Sequence, residues 1–379
     1  MDKIKFIRTN TFITILVLGS VLSVYGQNSS KIIEWNKAAD SSINAMIQDY
    51  WNSKYLYFNT DNQEDTLFQY WPQAHALDEL VAAYKRTHNK KYLRYIHKWY
   101  QGVKQQTGGM FINNYYDDME WNALAMLRAY QVTHDQKYLR TVNHVWKNIQ
   151  GGWSIVAGGG IQWQKKSSNS KNACSNGPAS ILASNLYLTE HKKNDLKWAK
   201  KIYNWEKSTL VDSVSGAVWD NISFKGCGVS IKKNWKFTYN QGTFIGAALK
   251  LYDITGQKKY LNDAIKTVDF TIHSLTQKGK NILKDEGNGD GGLFKGIFIR
   301  YFTKLILCKN LSKKKRDQYV NFLAHNARVL WLKGTNHRNV TFGSNWSRNP
   351  GKKVGLKTDL SGVILMQSAA LLHNRDIIQ

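Results

Sequence analysis

The sequence predicts an all-α fold, an (α/α)6 barrel of six helical hairpins. Three observations predict it. The first is a repeat. "LVAAYKRTHNKKYL" (80–93), "MLRAYQVTHDQKYL" (126–139) and "ALKLYDITGQKKYL" (248–261) each carry Tyr, Thr three residues on, and then Lys-Tyr-Leu. A looser copy, "ASNLYLTEHKKNDLKWA" (183–199), has Leu186 in the tyrosine place. Each copy reads as a helix, a polar turn and a second helix returning antiparallel. The second observation is about twelve helical stretches against few, short strand-like runs, mainly around 216–238. The third is the uneven length of the repeats and of the Gly-, Asn- and Trp-rich links before the first helix of each pair. An open solenoid has even repeats and capping ends. Long links gathered at one end of a closed double ring would instead build a site.

Taken in order, residues 1–26 read as a signal peptide. Lys3, Lys5 and Arg8 form a basic start, "TNTFITILVLGSVLSVYG" an uncharged run, and small residues near Ser23 and Gly26 suit cleavage before Gln27. Residues 27–379 then form a single barrel domain. Its helices are expected over 34–50, 73–88, 90–105, 118–134, 136–150, 176–190, 194–210, 239–254, 258–275, 293–308, 313–333 and 359–373, from apolar stripes at helical spacing broken by polar turns. No later stretch reaches the roughly 18 apolar residues of a membrane span. The expected location is secreted or periplasmic, and the expected state is a monomer.

The formal net charge is +26, and removing the leader's three basic residues and one acidic residue leaves +24. Such charge suits nucleic acid. The lysines are scattered along the whole chain, however, and an exported protein rarely meets nucleic acid, so no nucleic-acid partner is expected. An anionic cell wall or simple solubility uses the charge better. Cys174, Cys227 and Cys308 lie at no metal-ligand spacing; Cys174–Cys227 can bridge two loops, or all three can be free thiols.

The segments leading into the first helices share a composition: "QYWPQAH" (69–75), "NNYYDDMEW" (113–121), "NACSNG" (172–177), "FTYNQG" (237–242), "LFKGIFIRY" (293–301) and "FGSNWSRN" (342–349). Aromatic faces stack on the apolar face of a pyranose, and amides bond its hydroxyls, so a carbohydrate ligand is expected. One segment offers adjacent acids, Asp117 and Asp118. Glycoside hydrolysis needs two carboxyl groups, about 5–5.5 Å apart for retention and about 6.5–9.5 Å for inversion. Neighbouring residues reach either separation, so spacing alone leaves the stereochemistry open. Two acids so close do not easily both ionise, and one stays protonated while the other is a carboxylate. The plainer alternative is an acidic helix cap.

"YYDDMEWNALAMLRAY" resembles the Asp-Asp motif of glycoside hydrolase family 76, the endo-α-1,6-mannanases. "GGGIQW" (158–163), "KNACSNGPA" (171–179), "YNQGTFIGA" (239–247) and "FKGIFIRY" (294–301) are similar to that family's signatures and stand in matching order. The resemblance runs from about residue 35 to 373. It implies an (α/α)6 barrel and retaining endo-cleavage of α-1,6-mannosidic bonds in α-mannan polysaccharide or oligosaccharide, with no metal and no cofactor. It makes Asp117 the nucleophile and Asp118 the general acid/base. It makes Asn172, Asn176, Tyr239, Asn240 and Gln241 hydroxyl-binding residues, and Trp121 and Trp163 packing or stacking residues at the pocket. Asn122 and Gln162 stand where the family often has aromatics, which bears on subsite preference. Lys295 and Arg300 fall in the matched motif, but Arg300 inside a helix can equally pair with a buried acid.

"DEGNGDGG" (285–292) lacks the register of an EF-hand calcium loop and reads as a rim loop. Gly158–Gly160 is no dinucleotide fingerprint and is expected to bring backbone close to the sugar. His75 is the one histidine expected on the rim. The rival functions are a mannan transglycosylase with the same pair, a non-catalytic mannan-binding protein, and a uronic-acid lyase or hydrolase on a related barrel.

Overall fold

A computed structural model describes residues 33–166, 169–225 and 228–379. The predicted signal peptide and Cys227 lie outside the described residues. Residues 34–379 form the unit that carries the fold. It holds twelve α-helices among the described residues: α1 (Trp35–Tyr50), α2 (Tyr70–Thr87), α3 (Lys90–Gln106), α4 (Tyr116–Thr133), α5 (Gln136–Gln150), α6 (Gly177–Glu190), α7 (Lys193–Leu210), α8 (Thr238–Thr255), α9 (Lys258–Ser274), α10 (Gly291–Ile306), α11 (Lys313–Lys333) and α12 (Leu356–His373).

The even-numbered helices pack in a closed ring, α2 on α4, α4 on α6, α6 on α8, α8 on α10, α10 on α12, and α12 back on α2. Each is backed by the next helix in the chain, α3, α5, α7, α9 or α11, and α1 packs on α12. This is the (α/α)6 barrel. Sequence dictates which ring a helix joins. Outer α3 and α5 bury one stripe, Tyr92, Ile96, Trp99 and Val103 in α3, and turn their lysines outward. Inner α8 and α12 are buried nearly all round, as helices packed on both faces must be. Small residues let the inner helices approach. A Cβ on Gly242 would lie 2.7 Å from the Phe298 Cα, and one on Gly246 2.4 Å from the Tyr301 ring.

The repeat is the turn between inner and outer helices. His88, His134 and His191 end α2, α4 and α6 with φ of 55°, 56° and 59°, and Gly256 ends α8 at 67°. Their N–H groups donate to the carbonyls of Tyr84, Tyr130, Tyr187 and Tyr252. The caps therefore put Tyr187, one residue beyond the expected Leu186, in the tyrosine place. Asn89 and Asp135 then cap α3 and α5 by accepting from Lys91 and Lys137 N–H. Three strands, Ser170–Asn172, Asn221–Lys225 and Gly228–Ile231, form the antiparallel sheet beside the ring's N-terminal end.

Candidate functional site

Inner helices begin earlier than the apolar stripes suggest, and this decides the role of the acid pair. Helix α4 starts at Tyr116, with Tyr115 as N-cap and no capping side chain. Asp117 and Asp118 are its second and third residues, so neither is the cap. They lie at the base of a cleft of about 620 Å³ at the N-terminal end of the inner ring. Adjacent helical residues diverge by about 100°, so the two carboxyls reach different parts of its floor.

Their surroundings differ. Asp117 accepts from the Cys174 thiol (3.2 Å), and Trp163 and the backbone N–H groups of Asp117 and Asp118 also favour its charged form. Burial outweighs these donors and raises its pKa to about 6. Its Oδ1 has no partner. Asp118 accepts one bond, from the Asn113 amide at 3.0 Å. Burial, then Asp117, then Asp290 push its carboxyl well above the ordinary carboxylate range, against a smaller opposing pull from Lys357. Lys357 itself pairs with Asp290 at 2.7 Å. Near neutral pH the pair therefore divides into an ionised Asp117 and a protonated Asp118, the macroscopic steps belonging to both.

Of the other predicted residues, Trp121, Trp163, Asn172 and Tyr239 line the cleft. Trp163 packs against Tyr115 with ring centroids 5.1 Å apart. Tyr239 stacks on Phe294 at 3.9 Å and 13°. Asn172 Oδ1 is buried without a partner. Asn176, Asn240 and Gln241 stand behind the wall, fully buried. The Asn176 side chain bonds both backbone groups of Ile161 (2.8 and 3.0 Å), and Gln241 clamps Val218 through its N–H and C=O (both 2.8 Å). Asn240 donates to Asp220 at 2.9 Å. Their polar character serves loop positioning, which sequence alone does not separate from ligand binding.

Two expectations are corrected. His75 is buried inside α2, beside Trp71 and Trp121, and bonds Arg300 at 2.9 Å. Gly159 and Gly160 pack against Trp205, where a Cβ would lie 3.0 and 2.6 Å from its ring, and do not line the cleft. Of the two alternatives open for Cys174, a bridge or a free thiol, the structure has the free thiol, buried. Lys295 bonds the Ser344 carbonyl and lies over Trp346, and Arg300 pairs with Asp78 (3.1 Å) and Glu79 (2.9 Å). Sequence reading missed Asp220, Asn221 and Trp235 on the cleft, and named the rim segments of Trp71 and Asp290 without singling out either residue. Asp220 organises one wall, accepting from Tyr239, Asn240 and Asn221. The Gly- and Asp-rich loop before α10 was the signal for Asp290. Among the described residues no group of three or more His, Cys, Asp or Glu could hold a metal ion.

The sequence model of glycosyl hydrolase family 76 matches residues 34–378, the whole of the helical unit. The chain belongs to that family. The fold is similar to the α-1,6-mannanase of Salegentibacter sp. HEL1_6, with a TM-score of 0.87 and 43% identity over 89% of this chain and 100% of that one. That structure is of an inactive variant, with two adjacent aspartates replaced by asparagine, in complex with α-1,6-mannotriose. The Lin0763 protein of Listeria innocua is similar at a TM-score of 0.84 and 36% identity, covering 90% and 99% of the two chains. The mannan endo-1,6-alpha-mannosidase DCW1 of Candida albicans is 24% identical over 61% of this chain and 54% of its own length. The Saccharomyces cerevisiae protein of the same name is 28% identical over 44% and 38%. The chain thus spans about half or less of the length of these curated relatives. Like them it is a member of a hydrolase family, and among the described residues no helix is long and apolar enough to cross a membrane.

Proposed function

We propose that this chain is a retaining endo-α-1,6-mannanase with Asp117 as nucleophile and Asp118 as general acid/base. The observation that carries the reading is two adjacent carboxyls with different hydrogen-bond partners, Cys174 on Asp117 and Asn113 on Asp118, both lining a sugar-sized, aromatic-lined cleft. Asp118, protonated, delivers its proton to the glycosidic oxygen as the C1–O bond breaks. Asp117, ionised and with Oδ1 free, bonds to C1 and forms a mannosyl ester. Asp118, now a carboxylate, takes a proton from water, which attacks C1 and releases Asp117. Two inversions return the α configuration. The mannotriose bound by the Salegentibacter relative, in a variant lacking two adjacent aspartates, supports both the substrate and the pair. The stack of Tyr239 on Phe294, with Trp121 and Trp163, supplies apolar faces for pyranose rings.

The leader and its cleavage before Gln27 would put the enzyme outside the cytoplasm, where mannan is found. Asp117→Ala and Asp118→Ala should each abolish release of reducing sugar from unbranched α-1,6-mannan while far-ultraviolet circular dichroism stays unchanged. NMR of the first products should show the α anomer. Turnover near wild type in both variants would sink the assignment, and an initial β anomer would sink the retaining step. Elongated products on adding an acceptor sugar would instead favour the transglycosylase.

A further inference from the structure

A cavity of about 840 Å³ lies away from the acid pair. It opens between the last turns of α2, α4, α10 and α12, and Arg128 on its wall is eleven residues, about 16 Å, along α4 from Asp117. Six cationic side chains line it: Lys85, Arg86, Arg128, Arg300, Lys304 and Arg375. Its carboxylates are Asp78 and Glu79, and both are already engaged, Asp78 by Arg128 (2.9 Å) and Arg300, Glu79 by Arg300. Arg86 pairs with Asp40 at 2.7 Å. Lys85, Lys304 and Arg375 have no carboxylate within ion-pair distance among the described residues, and all three are reached by water.

Cations in a last helical turn often do no more than complement the macrodipole. Two features ask for more. The carbonyls of Tyr84 and Tyr130 at two of these helix ends already accept cap N–H groups. And the Lys85 and Lys304 side chains are both held below their ordinary range, by burial first and only then by the like charges of Arg128 and Lys250, with Arg300 adding to the effect on Lys304 and Asp78 opposing it. Three cations without an ion-pair carboxylate thus share one concavity with Arg86, Arg128 and Arg300, Lys304 lying over the Tyr301 ring at 4.9 Å. The remaining wall is apolar, including Val81, Val132, Leu307, Ile364 and Leu371.

We infer that this cavity is a binding site for an organic anion, a phosphate or carboxylate head held by Lys85, Lys304 and Arg375 with an apolar body against Val132, Leu307 and Leu371. Phenyl phosphate is a suitable probe. Titrated calorimetrically into the full chain at low ionic strength, it should bind saturably at one site. The double variant Lys85→Met/Lys304→Met should weaken binding at least about tenfold, the loss expected for two charge-assisted contacts. Arg375→Gln, an exposed change that does not threaten folding, should weaken it in the same direction. Lys313→Met/Lys314→Met, equal in charge but on the surface of α11, should leave it within about twofold. Hydrolysis of α-1,6-mannan should be unchanged in all of them, which also reports on folding. Vesicles of phosphatidylcholine with phosphatidic acid distinguish the source: co-sedimentation lost in the Lys85/Lys304 variant assigns the anion to a lipid headgroup, and none assigns it to a soluble molecule. No saturable binding of the probe, equal loss in both double variants, or benzyl alcohol binding as tightly as phenyl phosphate would overturn the inference.

Discussion

At the scale of the residue, the acid pair shows how two identical side chains acquire opposite roles. Asp117 collects a thiol, an indole and two backbone N–H donors, and Asp118 collects one amide while facing Asp117 and Asp290. The activity–pH profile should therefore be a bell. The acid limb should fall near pH 6, as Asp117 takes up a proton and ceases to be a nucleophile. The alkaline limb should lie well above the ordinary aspartate range, as Asp118 loses the proton it donates. A profile flat from pH 4 to 8, to take a range of about four units, would contradict the division. Cys174 tests the cause. Its thiol lowers the pKa of Asp117, so Cys174→Ala should move the acid limb of kcat/KM to higher pH, by less than about one unit because S–H is a weak donor. Cys174→Ser, which restores a donor, should move it back. An unmoved limb in the alanine variant would leave the thiol as packing only. The pair was legible from sequence because its two residues are neighbours and sit at a helix start. Asp220 was not, because its partners Tyr239 and Asn240 lie about twenty positions away and nothing local marks it.

At the scale of the element, the apolar stripes and the polar Thr-x-x-x-Lys turns located every helix, because amphipathic periodicity reports burial directly. The starts of α2, α4, α10 and α12 come two or three residues earlier than the stripes suggest. The early turns are made of Tyr70-Trp71, Tyr116-Asp117, Gly291-Gly292 and Leu356-Lys357, where Trp71 and Asp117 line the cleft while Tyr70, Tyr116 and Leu356 are buried, a mixture that breaks the apolar spacing. Gly242 shows the cost of close inner-helix packing. A methyl group there would meet the Phe298 Cα at 2.7 Å and the backbone of Ile297 at 3.1 Å, and backbone cannot rotate away as a side chain can. Gly242→Ala should gain helix propensity yet lose stability overall, by about 1–3 kcal/mol, through overpacking of α8 on α10. Urea unfolding gives the sign. A more stable variant would mean that the two helices can part without loss.

At the scale of the whole molecule, a closed ring of inner helices confines acids far from water. Glu120 and Glu206 are fully buried, and all four of their carboxyl oxygens lack a partner. Burial pushes both well above the ordinary glutamate range, and Asp117, then Glu206, press on Glu120 further. Asp359, also buried, is raised to about 8. These groups hold protons in the folded chain that the unfolded chain releases above its ordinary carboxylate pKa of about 4. The folded state binds more protons, so this contribution to stability is present below that value and is lost as pH rises towards the raised folded values. The barrel should therefore be most heat-stable in mildly acidic solution. Glu206→Gln isolates the effect, because the amide copies the shape of the neutral acid and needs no proton. Its melting temperature should exceed wild type at pH 8, by about 2–4 °C for each kcal/mol recovered. The two should converge near pH 4, where the unfolded glutamate is itself about half protonated. An advantage that is absent at pH 8, or that grows towards acid, would mean that Glu206 is ionised inside the barrel and that a compensating cation neutralises it.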